Sequence, residues 1–250
     1  MRSGRILFWA PIFVLAVFFS PVISAQSSSS SSSANSASSK QHKKSAASAD
    51  LDPGAVTSGI YRNKTLGFTC KIPPGWVLRT DELNAQAELK QEQQKQADQN
   101  SDSGNGSGDA AKDSPPPASS AGAKVLLAAF SRPPAATGED VNSSILIVAE
   151  NAAAYPGLKD AVQYFEPLTE VAAAQGFSVD EDPYEVAIGA KTLVRGDFHK
   201  DVVSRVMRQS TLAMLSHGYA VSITVIAGTE DDVEELIDGL DFAAPAGAKK

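Results

Sequence analysis

The sequence predicts an α+β domain in which an antiparallel sheet of about six strands is sandwiched by helices. Three features predict it. Short apolar runs of strand length alternate with turn residues. Three strand-like stretches between 190 and 227 follow one another through tight turns. Two segments, 156–176 and 229–240, carry apolar residues at helical spacing. With 250 residues and 42% hydrophobic content the chain can build one core with polar additions, although many of those residues are alanines that bury little surface. The expected organisation is a leader at 1–25, a Ser-rich linker at 26–56, a domain at 57–242 and a tail at 243–250. A polar, largely disordered insertion interrupts the domain at 80–122.

Arg2 and Arg5 precede an apolar run, Ile6–Ile23, and Ile23-Ser24-Ala25 supplies the small residues of a cleavage site. This order of basic, apolar and small residues is that of a secretory signal peptide, with cleavage expected near Ala25-Gln26 and Pro21 breaking the helix ahead of it. The protein is therefore expected to be exported, periplasmic or secreted. The alternative is an uncleaved membrane anchor, because a run of about 18 residues just reaches across a bilayer. No cysteine follows the run, which speaks against a lipid-anchored lipoprotein.

Loss of Arg2 and Arg5 would take the formal charge from −7 to −9, and an acidic chain lacks the basic footprint that nucleic acid requires. The single cysteine, Cys70, leaves no intramolecular disulfide and no cysteine zinc cluster, and its apolar neighbours predict a buried thiol. The linker opens with seven serines, Ser27–Ser33, and buries too little surface to offset its ordering entropy. Its basic cluster, Lys40, His42, Lys43 and Lys44, reads as solvated linker charge.

Ile60-Tyr61 and Leu66–Ile72 read as two short strands joined through Arg62-Asn63-Lys64-Thr65. Pro73-Pro74-Gly75 then turns the chain before Trp76, which is large enough to seal one end of a core. Asp81–Ala97 is rich in helix formers, but Leu83, Ala87 and Leu89 make a poor apolar stripe, so a marginal, mostly solvated helix is expected. The stretch Ser101–Ala123 reads as a disordered loop. Lys124–Phe130 and Ser144–Ala149 are apolar runs of strand length. Leu158, Val162, Phe165, Leu168, Val171 and Ala172 follow helical spacing, Pro167 should bend or split that helix, and Gly176 suits its C-terminal cap.

Ala190–Phe198, Val202–Leu215 and Tyr219–Ala227 form an expected meander, joined by His199-Lys200-Asp201 and Ser216-His217-Gly218. Thr229 can cap a last helix, paired with Asp232 three residues on, and Val233, Leu236, Ile237 and Leu240 give that helix one apolar face.

Tyr61-Arg62-Asn63, Leu66-Gly67-Phe68 and Ile72-Pro73-Pro74-Gly75-Trp76 resemble the opening pattern of the Mog1/PsbP-like superfamily: an aromatic, an Asn, a Gly-Phe strand and a Pro-x-Gly-Trp turn. The order that follows also resembles it, with a helix, a meander in which Tyr219 opens a strand, and a closing helix ending in Leu240-Asp241-Phe242. The resemblance covers about 57–79 and 124–242, and the long insertion after Val77-Leu78 departs from it. It implies an antiparallel sheet between helical layers. It also implies an accessory or binding role, since members such as photosystem extrinsic subunits and a Ran-binding nuclear factor share no catalytic centre.

Asp197, His199 and Asp201 alternate along the chain and would share one face of a continuous strand, where they could grip a divalent metal. A hairpin tip is the expected place for them instead. Glu230, Asp231, Asp232, Glu234 and Glu235 suit the first turn of a helix, where acids complement its dipole, and Asp180-Glu181-Asp182 suits a solvated loop. No Gly-x-Ser-x-Gly elbow and no phosphate-cradling glycine loop occur. The three histidines, His42, His199 and His217, fall in the linker and in turns, where a general base is hard to hold. Arg195-Gly196-Asp197 spells an integrin-binding tripeptide but falls in an expected strand. Asn63-Lys64-Thr65, Asn105-Gly106-Ser107 and Asn142-Ser143-Ser144 are formal glycosylation sequons.

The expected function is that of an exported, non-enzymatic accessory or binding protein, monomeric and without cofactor, acting on a protein partner. Tyr61, Phe68 and Trp76 are the candidate binding aromatics. The alternatives are a metal-assisted hydrolase using Asp197, His199 and Asp201, or a structural protein anchored by its N-terminal segment.

Overall fold

The computed structural model describes residues 51–101, 123–133, 140–202 and 205–243. The expected leader and its cleavage site, residues 26–50 of the linker, residues 102–122 of the insertion with Asn105, and residues 244–250 of the tail lie outside the described residues. In chain order the strands are β1 (Ala55–Thr57), β2 (Ile60–Asn63), β3 (Phe68–Lys71), β4 (Val77–Leu78), β5 (Lys124–Phe130) and β6 (Ser144–Asn151). They continue as β7 (Ser178–Val179), β8 (Tyr184–Ile188), β9 (Lys191–Val202), β10 (Arg205–Ser216), β11 (Tyr219–Ala227) and β12 (Leu240–Phe242). The helices are α1 (Thr80–Ser101), α2 (Ala161–Ala174) and α3 (Glu230–Asp238).

The chain is α+β, as expected, but its strands form two antiparallel sheets rather than one sheet of about six. The smaller has the order β1-β2-β3-β12, and the larger the order β4-β5-β6-β11-β10-β9-β7 with β8 also paired to β9. Strands of two or three residues escape sequence reading because such segments show too little alternation to register. The clearest case is Leu240–Phe242, expected at the end of the last helix. Gly239 ends α3, and the three residues pair with Phe68–Cys70 as β12.

The domain also begins earlier than residue 57. Leu51 is buried in the core, Asn63 Nδ2 donates to Asp52 O at 2.7 Å, and β1 pairs with β2. Asn63 is itself buried, with Oδ1 accepting from Leu66 N at 2.8 Å, so the amide of this sequon is committed to the fold. The turn it anchors runs two residues later than expected, because β2 extends to Asn63 and β3 starts at Phe68.

Period-2 alternation divides the large sheet into two apolar faces. Leu193, Leu212, Ile223, Ile145 and Leu127 face the small sheet and α3, whose Val233, Leu236 and Ile237 join the same core. Val194, Phe198, Ala213 and Ala220 face the opposite way and carry Tyr164, Phe165 and Ala172 of α2. Leu83 of α1 packs on Val125 and Ala128. The first half of the expected insertion is thus an ordered helix, tied down by Leu83 and by Asn84, which bonds both ways with the backbone of Val125.

In α2, Pro167 sits inside one continuous helix rather than splitting it. Gly176 takes φ +86° after the helix end, as a C-terminal cap requires. Val162 is exposed, so the helical face is carried by Tyr164, Phe165 and Ala172. Thr229 caps α3, its Oγ1 accepting from Asp232 N at 3.1 Å. His217-Gly218 forms the turn between β10 and β11 with φ +53° and +81°, both central residues left-handed as a tight hairpin demands.

Cys70 is fully buried beneath the small sheet, and burial pushes its thiol up to about 12. The folded state therefore holds the thiol proton to higher pH than the unfolded chain. The associated stability is complete below about pH 9 and is lost as pH rises toward 12. We expect Cys70 to resist alkylation in the folded protein and to react on unfolding. In Cys70→Ala the loss of stability above about pH 9 should be shallower, read by urea unfolding across that range. Equal slopes for the two proteins would contradict this.

Candidate functional site

Two surfaces gather the chemistry-bearing residues. The first is a polar strip on the α3 side of the large sheet. β9 runs unbroken to Val202, so His199, Lys200 and Asp201 lie within the strand rather than at a hairpin tip; residues 203–204 lie outside the described residues. The expected turn is displaced because β9 and β10 pair through Arg205 and Val202, continuing the ladder past the polar residues.

On this strip Asp197 lies opposite Ser210, and His199 opposite Arg208. Asp197 Oδ1 accepts from Arg195 Nε at 2.9 Å and from Ser210 Oγ, while Oδ2 accepts from Tyr184 OH at 2.9 Å. Arg195 Nη2 also reaches Glu234 Oε1 of α3 at 2.5 Å and Ser210 Oγ at 3.1 Å. Burial pulls Arg195 down, but its bonds to Glu234 and Asp197 outweigh that and hold the guanidinium above its ordinary value. Burial and the Asp197 contact push Tyr184 up to about 12.

Further along, His199 Nδ1 pairs with Asp180, and Arg208 bridges Asp180 at 3.5 Å and Glu230 at 3.3 Å. Asp180 is therefore tied to the sheet, not free in a solvated loop. Glu230 and Glu234 serve β10 and β9 as well as the helix dipole.

The three candidate metal ligands do not converge. Asp197 spends both oxygens on three donors, His199 turns to Asp180, and Asp201 lies exposed at the strand end. Among the described residues no three His, Cys, Asp or Glu side chains stand close enough to hold an ion. The strip is a network in which Arg195 and Arg208 each serve two of its four acids. His217 is exposed in its turn, its Nδ1 2.9 Å from Ser216 Oγ.

The second surface is a groove of about 870 Å³ lined by residues from both sheets and α3. Its walls are the β1–β2 hairpin, the end of β3, the Pro73–Trp76 turn, Leu78 and the C-terminal half of α3. Pro74 followed by Gly75 at φ +84°, with Trp76 N donating to Pro73 O at 3.4 Å, is the type II turn pattern that the Pro-Pro-Gly run predicts. The turn lays half-buried Trp76 against the main core with one flank on the groove. Ile60, Ile72 and Leu236 line the floor, and Glu235, Asp238 and Lys71 stand among the lining residues.

Of the three candidate binding aromatics only Trp76 reaches this surface. Tyr61 is 1% exposed and Phe68 is 2% exposed; both pack in the core, their ring centroids 5.8 Å apart. They alternate with outward residues on β2 and β3, and the small sheet buries the face that carries them. Val56 and Leu78, at 38% and 46% exposure, provide the apolar surface instead. Sequence reading missed both, because each lies in a strand of three residues or fewer.

No known protein family and no curated protein matches this sequence. Among solved structures, the protein of unknown function PA94 from Pseudomonas aeruginosa, described as a putative regulator, is 17% identical with a TM-score of 0.29, covering 40% of this chain and 68% of its own. LpqN, involved in cell envelope biogenesis of Mycobacterium tuberculosis, is 11% identical with a TM-score of 0.34, covering 77% of this chain and 87% of its own. A protein from Bacteroides thetaiotaomicron is 12% identical with a TM-score of 0.33, covering 74% of this chain and 47% of its own. Scores and identities this low assign neither a family nor a function to the chain.

Proposed function

We propose that the chain is an exported, non-enzymatic accessory or binding protein of the Mog1/PsbP-like type, and that its protein partner docks in the groove beside Trp76. The observation that carries this reading is the groove itself, an open apolar surface that brings exposed Val56 and Leu78 together with the flank of Trp76. Grouped exposed apolar side chains beside a half-buried tryptophan are the usual make-up of a protein interface. The polar strip supports the non-enzymatic half of the reading, since its acids and bases are engaged with one another rather than aimed into a cleft. Export rests on the basic, apolar and small-residue order of the first 25 residues. Among the described residues no helix is long and apolar enough to cross a membrane. The superfamily placement rests on the Tyr61–Trp76 motif.

Leu78→Asp is the discriminating variant, because the side chain is exposed and its loss leaves no cavity. Crosslinking capture by the full chain from native exported proteins should return a specific partner at stoichiometric yield. The variant should lose it by tenfold or more, about 1.4 kcal/mol, with its melting temperature within a few degrees of the parent. Undiminished capture by Leu78→Asp would remove the groove from the interface.

A further inference from the structure

The groove takes Val56 from β1 and Leu78 from β4, each an edge strand of its own sheet. β1 ends the small sheet and β4 ends the large one, and among the described residues each pairs on one side only. Exposed edges are usually blunted by lysine, proline or a bulge. β1 reads Ala-Val-Thr and β4 reads Val-Leu; neither carries lysine, proline or a bulge, and shortness alone limits what these edges offer. A bare edge beside an apolar trough suits an extended peptide, whose main chain extends the sheet while alternate side chains fill the trough.

Charge narrows the class of peptide. α3 carries six acids and no base. Arg208 and Arg195 neutralise Glu230 and Glu234, on the side facing the polar strip. Glu235 and Asp238, which face the groove, meet no cation within ion-pair distance among the described residues, and Lys71, whose N donates to Gly239 O beside Asp238, pairs with neither. The helix thus engages two of its six acids on the polar strip and leaves Glu235 and Asp238 unpaired on the rim of the apolar trough.

We propose that the occupant is an extended segment of a partner protein, with apolar residues at alternate positions and lysine or arginine beside them, pairing with the β1 edge and placing its cations on Glu235 and Asp238. This rests on the groove reading above and specifies the chemistry of its ligand. The attraction is between exposed charges, so it should steer and select while salt weakens it.

Trp9→Phe leaves Trp76 as the sole tryptophan of the full chain, which makes its emission a report on the groove. Two probes are titrated: an eight-residue peptide alternating valine with lysine, and the same peptide with glutamate in place of lysine. The lysine peptide should shift the emission saturably, bind at least tenfold tighter than the glutamate peptide, and lose that advantage at about 0.5 M salt, where charges are screened beyond a few ångströms. Glu235→Gln with Asp238→Gln should reduce the lysine peptide's affinity about tenfold and leave the unliganded emission unchanged.

Equal binding of the two peptides would overturn the charge assignment while sparing the groove. No shift with either peptide, together with undiminished partner capture by Leu78→Asp, would overturn the groove as well. A shift produced by anionic vesicles but not by peptide, or by raising protein concentration alone, would replace the occupant with a lipid surface or a second copy of the chain.

Discussion

Gly196→Val is expected to destabilise the fold by about 3 kcal/mol, enough to unfold a marginal domain at physiological temperature. Gly196 sits in the middle of β9, opposite Thr211, on the face covered by α2. A Cβ placed there would lie 2.5 Å from Phe165 Cε1 and 3.0 Å from Cδ1. Phe165 is 2% exposed and locked between α2 and the sheet, so its ring has nowhere to go without lifting the helix. Glycine in a strand interior normally weakens it; here the aromatic ring fills the space the missing side chain leaves. Gly228→Ala is the control, since its Cβ would come no nearer than 3.7 Å to Val141. Phe165→Leu should soften the effect of Gly196→Ala, giving a coupling of opposite sign in a double-mutant cycle. If Gly196→Val unfolded in urea at the same midpoint as Gly228→Ala, the close packing of α2 on β9 would be wrong. The same contact gives the Arg195-Gly196-Asp197 tripeptide a structural reading: its glycine lies under a helix and its two charges bind each other.

Arg195→Met should cost about 2–3 kcal/mol. The guanidinium, 12% exposed, links α3 to β9 through Glu234 and Asp197. Removing one partner of a largely buried pair typically costs about 3–5 kcal/mol, because the other charge stays behind unpaired. The lower figure applies because Glu234 is half exposed and can hydrate, and because Asp197 keeps Ser210 and Tyr184 as donors. Replacing both charges, Arg195→Met with Asp197→Leu, should recover much of the loss, since only the half-exposed Glu234 is then left without its cation. Chemical unfolding of Arg195→Met, Asp197→Leu and the double variant decides it: a double variant no better than the sum of its parts would mean that the strip contributes through packing rather than through paired charge.

Those two sites mark where sequence reading stops. The long, strongly patterned elements were legible: the meander from β9 to β11, the apolar runs of β5 and β6, the helix around Phe165, and the last helix with its Thr229 cap. Each satisfies a local rule, either alternation over many residues or a side chain that meets a backbone amide three positions away. The Pro-Pro-Gly turn was equally legible, because proline and glycine restrict φ wherever they stand. The burial of Cys70 followed from its apolar neighbours alone.

What the residues could not announce is which strand edges meet and which faces are covered. Strands of two or three residues at β1, β4, β7 and β12 exist because neighbouring strands offer them hydrogen bonds, and nothing in Val77-Leu78 or Leu240–Phe242 anticipates that pairing. Tyr61, Phe68 and Trp76 look alike in the sequence as large aromatics near turns. The second sheet, folded over the first, buries two of them and leaves the third beside the groove. Asp197, His199 and Asp201 have the spacing of a metal site, yet Arg195 on the same strand, Ser210 and Tyr184 from neighbouring strands and Asp180 from a loop claim two of the three.

By itself, then, the sequence determined the class of the fold, its central hairpins and caps, and the basic, apolar and small-residue order from which export is proposed, because these depend on neighbours within a few residues. The tertiary structure alone decided the division into two sheets, the pairing of the charges and the place of the groove. Those depend on contacts between residues as far apart as Arg195 and Glu234, or Trp76 and Leu236, and such proximity leaves no mark on local composition.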